Sequence, residues 1–245
     1  MKGYTITDIG KVRSENQDSV RFIQDDELQA LGILVLCDGM GGAQAGSVAS
    51  NIAMSAFIER SRQSLSEGRR APKLVEILKD AAEYANTCVF SKGNSDAACE
   101  GMGTTLVAAV IKSRSCCVVN VGDSRAYLIS KGEITQITRD HSFVEEMVSR
   151  GSITREQAKN HPRKNVITRA IGVEPSVECD LYTPPLKKND ILLLCSDGLS
   201  NTLSDAEILE IAERNKQLSD IGKELVDLAL SRGAPDNVTV GLVRK

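Results

Sequence analysis

Short apolar runs rich in β-branched residues recur along this chain, at 30–37, 103–111, 115–121, 125–130, 133–137, 177–183, 190–195 and 238–243. Runs of this length, punctuated by Gly, Asp and Ser, read as strands rather than helices. The stretch "SKGE" (130–133) has the look of a hairpin turn between two of them. Two other segments carry helical period. Leu74, Leu78, Ala81, Ala85 and Cys88 form one stripe behind Pro72, and Leu218, Ile221, Leu225 and Leu228 form another. Segment 43–66 is expected to be a third long helix. Capping boxes at Ser142–Glu145, Thr154–Gln157 and Ser204–Glu207 mark further helix starts, and the first two bracket a small helical excursion at about 142–165. Strands joined by hairpins imply antiparallel sheets that the long helices must cover. Strands and helices do not alternate as a doubly wound parallel sheet requires. The expected fold class is therefore α+β. No linker or composition break interrupts the chain, so residues 1–245 are expected to form one domain.

Composition narrows the functions. Lys plus Arg number 30 against 33 Asp plus Glu, for a net charge of -3 with both signs interspersed. Nucleic acids and anionic membranes call for a concentrated basic surface, so neither is an expected partner. The opening "MKGYTITDIG" lacks a signal peptide's apolar centre, and no apolar run reaches membrane-spanning length, so the expected location is cytoplasmic. Seven cysteines without a C-x-x-C spacing, most of them in apolar runs, read as small buried hydrophobes in a reducing compartment. Aromatic residues are scarce at 3%, so the core must be aliphatic.

The apolar runs share an unusual boundary. "ILVLCDG" ends at Asp38, "ILLLCSDG" at Asp197 and "VVNVGDSR" at Asp123, while Asp236 and Asp18 stand just before further runs. A single such aspartate is a turn former. Five converging carboxylates would repel one another, and a divalent cation resolves that repulsion. Oxygen donors, two histidines and unclustered cysteines indicate a hard ion, Mg²⁺ or Mn²⁺, rather than Zn²⁺. After Asp38, the side-chain-free Gly39, Gly41 and Gly42 let backbone approach a metal or an anion, and a carbonyl there can serve as a ligand.

Rival chemistries fit poorly. No cysteine has an arginine six residues on, as a thiol phosphatase needs, and no G-x-x-x-x-G-K-[ST] loop occurs. "GDSRA" resembles a serine-hydrolase elbow, but its strand-to-strand context, in a tight hairpin, is wrong, and His141 and His161 are the sole candidate bases.

Eight stretches taken in order are similar to the metal-dependent type-2C protein serine/threonine phosphatases in their compact bacterial form. They are "RSENQD" (13–18), "DGMGG" (38–42), "GMGTT" (101–105), "VGDSR" (121–125), "TRDHS" (138–142), "NVITRAIG" (165–172), "LCSDGLS" (194–200) and "APDNVTV" (234–240). The resemblance covers essentially the whole chain. It implies a four-layer α/β/β/α sandwich, two antiparallel sheets flanked by helices. It also implies a two-ion Mn²⁺ or Mg²⁺ site in which Asp38 bridges the ions and Gly39 adds its carbonyl. Asp197 and Asp236 would hold the first ion, and Asp18 would act on the second through water. Bacterial members often carry a third ion, here between Asp123 and Asp197. Arg13 matches the arginine that grips the substrate phosphate. The implied reaction is hydrolysis of phosphoserine and phosphothreonine in proteins by a metal-activated bridging water, with no phosphoenzyme. The implied partners are phosphoproteins, including a bacterial Ser/Thr kinase whose signalling the enzyme opposes as a monomer.

Two readings compete with this one: the same chemistry on other phosphoesters, and a non-catalytic phosphoprotein-binding module. The sequence also departs from the family pattern twice. Met40 stands where many eukaryotic members have a histidine proposed as general acid, and Gln17 replaces a glutamate. His141 is expected to bond structurally and His161 to lie on the surface or flap. The excursion at 142–165 matches the family's flap, whose Arg150, Arg155, Arg163 and Lys164 are placed to meet acidic flanks of a phosphopeptide or simply to be solvated.

Overall fold

A computed structural model describes residues 1–25, 31–42, 45–66, 73–112 and 115–245. Two antiparallel sheets lie face to face. One runs β1 (Lys2–Asp8), β11 (Val238–Arg244), β10 (Ile191–Cys195), β7 (Arg125–Ser130), β8 (Glu133–Gln136). The other runs β2 (Asp18–Asp25), β3 (Leu31–Met40), β5 (Leu106–Ile111), β6 (Cys116–Val121), β9 (Asp180–Tyr182), with the two-residue β4 (Gly103–Thr104) paired to the end of β3.

Period-two alternation explains the layering, because successive strand side chains face opposite sides. In β3, Leu31, Ile33, Val35 and Cys37 face α1 (Ala45–Ser66) and α2 (Leu74–Ser95), while Leu34 and Leu36 face the other sheet. In β10, Leu192 and Leu194 meet them between the sheets, and Ile191, Leu193 and Cys195 face the opposite helical layer. That layer comprises α5 (Asp197–Ser200), α6 (Asp205–Arg214) and α7 (Leu218–Ser231). Three apolar cores thus separate four layers, as expected. Each fully buried Leu or Ile contributes roughly 1.5–3 kcal/mol of transfer free energy. The cysteines are all free thiols and serve as apolar filler, five of them buried.

The "SKGE" turn is a hairpin whose central Lys131 and Gly132 both have positive φ, 54° and 78°. Three expectations need correction. β1 was not anticipated: its "GYTITD" alternates but carries one strongly apolar residue, and its single strand partner among the described residues is β11. The join between 115–121 and 125–130 is no hairpin. β6 pairs with β5 and β9 and β7 with β10 and β8, so Gly122–Ser124 crosses from one sheet to the other. The Ser142 box is half made: Ser142 Oγ accepts from the Glu145 amide, but the Glu145 carboxylate pairs with Arg139 and Arg155 instead. The box at Thr154 is complete, and at Ser204 the Glu207 carboxylate accepts from both the Ser204 amide and its hydroxyl. Residues 43–44 and Pro72, at the expected helix starts, lie outside the described residues.

Candidate metal and phosphate cleft

At one end of the sandwich, both sheets deliver their aspartates to a single opening. Asp18 begins β2 directly opposite Asp38 near the end of β3. Asp123 sits on the crossing from β6 to β7, Asp197 opens α5 just after β10, and Asp236 precedes β11. Asp38, Asp123, Asp197 and Asp236 line a cleft of about 420 Å³ together with Arg13, and Asp18 lies buried behind Asp38.

Strand ends are held by hydroxyl and amide clamps. The Asp38 amide donates to Thr105 Oγ1 (2.9 Å), the Thr105 amide donates to the Asp38 carbonyl (2.8 Å), and Thr105 Oγ1 bonds Ser124 Oγ (2.8 Å). Asp38 and the loop bearing Asp123 are therefore fixed to each other through Thr105, just before β5. Asn237 does the same for the loop bearing Arg13. Its Nδ2 donates to the carbonyls of Ile9 and Glu15, and its Oδ1 accepts from the Gln17 amide. Thr239 Oγ1 donates to Asp18 Oδ2 at 2.5 Å, joining β11 to β2 across the sandwich.

The repeated Asp-Gly has a packing cause. A Cβ on Gly39 would lie 2.0 Å from the Gly46 carbonyl oxygen in α1, and one on Gly198 would lie 2.0 Å from the Asn237 carbonyl oxygen. Each glycine admits a neighbouring backbone right beside a carboxylate. Gly42, by contrast, has nothing within 4 Å of a Cβ position.

Electrostatics single out the same residues. Burial, then the charges of Asp18, Asp197, Asp123 and Asp236, pushes the Asp38 carboxyl well above the usual range. Burial, with Asp123 the strongest neighbour, lifts Asp197 to about 8. Burial lifts Asp18 to about 6 against the Thr239 hydrogen bond, and burial with Asp140 lifts Asp123 to about 6. Asp18 Oδ1 is buried without a hydrogen-bond partner, an expensive state for a carboxylate oxygen. Arg13 is the cation at the cleft, its Nη2 2.7 Å from Asp236 Oδ2. Among the described residues no three acidic, His or Cys side chains close around a single point, and the carboxylates ring the opening instead. An all-oxygen donor set, an unsatisfied buried carboxylate oxygen and mutual repulsion fit hard divalent cations.

The remaining expectations sort clearly. His141 is buried and outside the cleft lining. Its Nδ1 accepts from the Gly122 amide (3.0 Å), its own amide donates to the Gly122 carbonyl (2.9 Å), and its Nε2 lies 3.3 Å from Asp180 Oδ2. It braces the residue before Asp123. Burial, then the Arg169 charge, lowers its pKa. The flap comprises α3 (Phe143–Ser149) and α4 (Arg155–Lys159), and its return segment brings Asn165 and Ile167 into the cleft wall. Arg155 pairs with Glu145 and Arg150 with Glu146, Arg163 lies 3.9 Å over the Phe143 ring, and His161 sits beside that ring. Three of the four flap cations are thus engaged within the flap. Thr105, Asn237 and Thr239 were not singled out from sequence, though all lie in or beside the quoted motifs.

Known proteins resemble this chain in sequence and fold. The family model described as Protein phosphatase 2C matches residues 11–232. The serine/threonine phosphatase stp of Listeria innocua is 38% identical over 239 residues, covering 98% of this chain and 94% of that protein. The serine/threonine protein phosphatase PstP of Mycobacterium tuberculosis is 39% identical over 235 residues, which is 96% of this chain and 43% of that longer protein. A crystal structure of a bacterial serine phosphatase superposes with a TM-score of 0.91 at 36% identity, covering 100% of this chain and 97% of that one. The catalytic domain of PstP in complex with two manganese ions superposes at 0.84, also 36% identical, covering 98% and 96%. A sandwich whose two sheets pool their aspartates, matched from end to end by such relatives, places this chain in the protein phosphatase 2C family as a serine/threonine protein phosphatase of bacterial type.

Proposed function

We propose that the carboxylate cleft is the phosphatase centre, with Asp38 shared between two divalent cations. In this reading Asp197 and Asp236 hold one ion, Asp18 and the Gly39 carbonyl serve the other, and Asp123 with Asp197 holds a third. Bound Mn²⁺ or Mg²⁺ supplies a water of lowered pKa and neutralises charge at the phosphoryl group. The observation that carries the reading is the gathering of buried, mutually repelling carboxylates at one opening beside a single arginine.

The chain's own residues bind and orient. Arg13 spends Nη2 on Asp236 and keeps its other N–H groups for phosphoryl oxygens, a fork that lysine does not offer. Asn237 braces the backbone on either side of Arg13 and Thr105 braces Asp38, so little ordering remains to be done when substrate arrives. Met40, on the cleft wall, has no proton for the leaving alkoxide, and His141 does not line the cleft. The substrates in this reading are a bacterial Ser/Thr kinase and its targets in the cytoplasm, met by a monomeric enzyme in a signalling circuit. The near-neutral charge is consistent with this, and no helix among the described residues is long and apolar enough to cross a membrane.

The test is turnover of a phosphothreonine peptide with Mn²⁺, with chelator and in Asp38→Ala, alongside calorimetric Mn²⁺ titration. Activity should vanish in the second and third cases, and Asp38→Ala should bind fewer ions. Turnover that survives chelation would overturn the metal assignment.

A further inference from the structure

A second groove, of about 270 Å³, opens beside the cleft and shares Met40 and Ile167 with it. Its far side is Val173, Val177 and Ala170, and Glu174 and Glu178 also line it. Gly103 makes the apolar floor possible: a Cβ there would lie 2.7 Å from Met40 Cε and 2.8 Å from a Val173 methyl, so those side chains meet over bare backbone. The wall is fastened. Buried Asn86 of α2 accepts from the Gly172 amide (2.7 Å) and donates to the Glu174 carbonyl (3.0 Å), and Thr104 and Ile171 exchange backbone hydrogen bonds.

The groove carries exposed apolar surface. The described residues expose five large apolar side chains. Val173 lines the groove, Val166 adjoins Ile167, Val12 adjoins Arg13, and Ile9 is tied to Asn237 at the cleft. Val173 thus leaves apolar surface open in the groove for a bound polypeptide to cover. Charge then selects among occupants. Arg169, the groove's cation, is engaged by Asp180 (3.0 Å) and Glu178 (3.7 Å), while the Glu174 carboxylate has no ion-pair partner among the described residues.

We propose that this groove is a subsite for a basic side chain flanking the phosphorylated residue of the substrate. The aliphatic stem of Lys or Arg lies across Met40 and Val173, and its cation faces Glu174. The inference rests on the cleft being the phosphatase centre, since the two share a wall.

Phosphothreonine peptides carrying Lys, norleucine or Glu at each of three positions on either side test it by kcat/KM with Mn²⁺, with p-nitrophenyl phosphate as a flank-free substrate of the unmodified chain. At one position Lys should exceed Glu by about five-fold, the size of exposed charge effects, with norleucine between. Glu174→Gln should erase that charge ranking and Glu174→Lys should invert it, each read as a ratio within one variant. Equal rates for all peptides, with p-nitrophenyl phosphate turned over, would refute the subsite alone. Norleucine matching Lys would make the groove simply apolar and refute the basic occupant. No turnover of any phosphoester would instead refute the cleft assignment.

Discussion

Nη2 of Arg13 donates to Oδ2 of Asp236 at 2.7 Å, joining residues 223 apart in the chain. The contact orients the guanidinium at the cleft mouth while half its fork stays available to an anion. Charge-assisted hydrogen bonds contribute roughly 1.5–3 kcal/mol each. Arg13→Ala should therefore lower kcat/KM for phosphopeptides by about 10- to 100-fold, and Arg13→Lys should recover only part of it. Steady-state kinetics decide this, and an Arg13→Ala enzyme with unaltered kcat/KM would remove Arg13 from substrate binding.

The raised carboxylates make a pH prediction whose sign is fixed. Asp18 and Asp123 stand at about 6 and Asp197 at about 8, against an ordinary value of 3.8. A carboxyl that holds its proton more tightly when folded contributes stability that is complete below its unfolded pKa. That contribution is lost as pH rises through the folded value. The chelated protein should thus lose melting temperature between about pH 4 and 8, and saturating Mn²⁺ should flatten the decline. Calorimetry in chelator and in Mn²⁺ at several pH values checks it. A chelated melting temperature that climbs over this span contradicts the buried-carboxylate picture.

Gly39 and Gly42 should respond oppositely to the same substitution. Gly39→Ala drives a methyl into the Gly46 carbonyl and should cost about 3 kcal/mol or more. Gly42→Ala meets open space and should stay within about 0.5 kcal/mol of the parent. Urea denaturation of the two variants separates them, and equal midpoints would show the α1 contact to be slack.

Asn237 makes three hydrogen bonds to the segment Ile9–Gln17. At roughly 0.5–1.5 kcal/mol each, Asn237→Ala should lose about 2–4 kcal/mol. It should also raise KM as the Arg13 loop loosens. Loss of stability with kinetics intact would confine Asn237 to the fold.

The strands that carry aspartates were legible because an apolar run broken by a carboxylate is a local signal, and so were the helical stripes. Asn237 was not, since nothing near it in sequence announces partners 220 or more residues away. Nor was the crossing at Gly122–Ser124, because a three-residue link looks alike whether it closes a hairpin or changes sheets. Met40 read as a missing acid; the structure shows it shared by the cleft and the groove beside it. Glu145 was assigned to its helix cap from spacing alone, and Arg139 and Arg155, on either side of the helix in sequence, claim its carboxylate.

The pairing of β1 with β11, Lys2 against Arg244 through Asp8 against Val238, has a consequence for synthesis. β1 has no other strand partner among the described residues, so its pairing must wait on the ribosome until residues 238–244 have been made. The aspartates of the cleft span residues 18 to 236, and Asp18 is tied to Thr239 of that same late strand. A chain that stops short of residue 236 therefore lacks part of the carboxylate cleft. The cleft is completed when translation delivers Asp236 and β11 to the early strands β1 and β2.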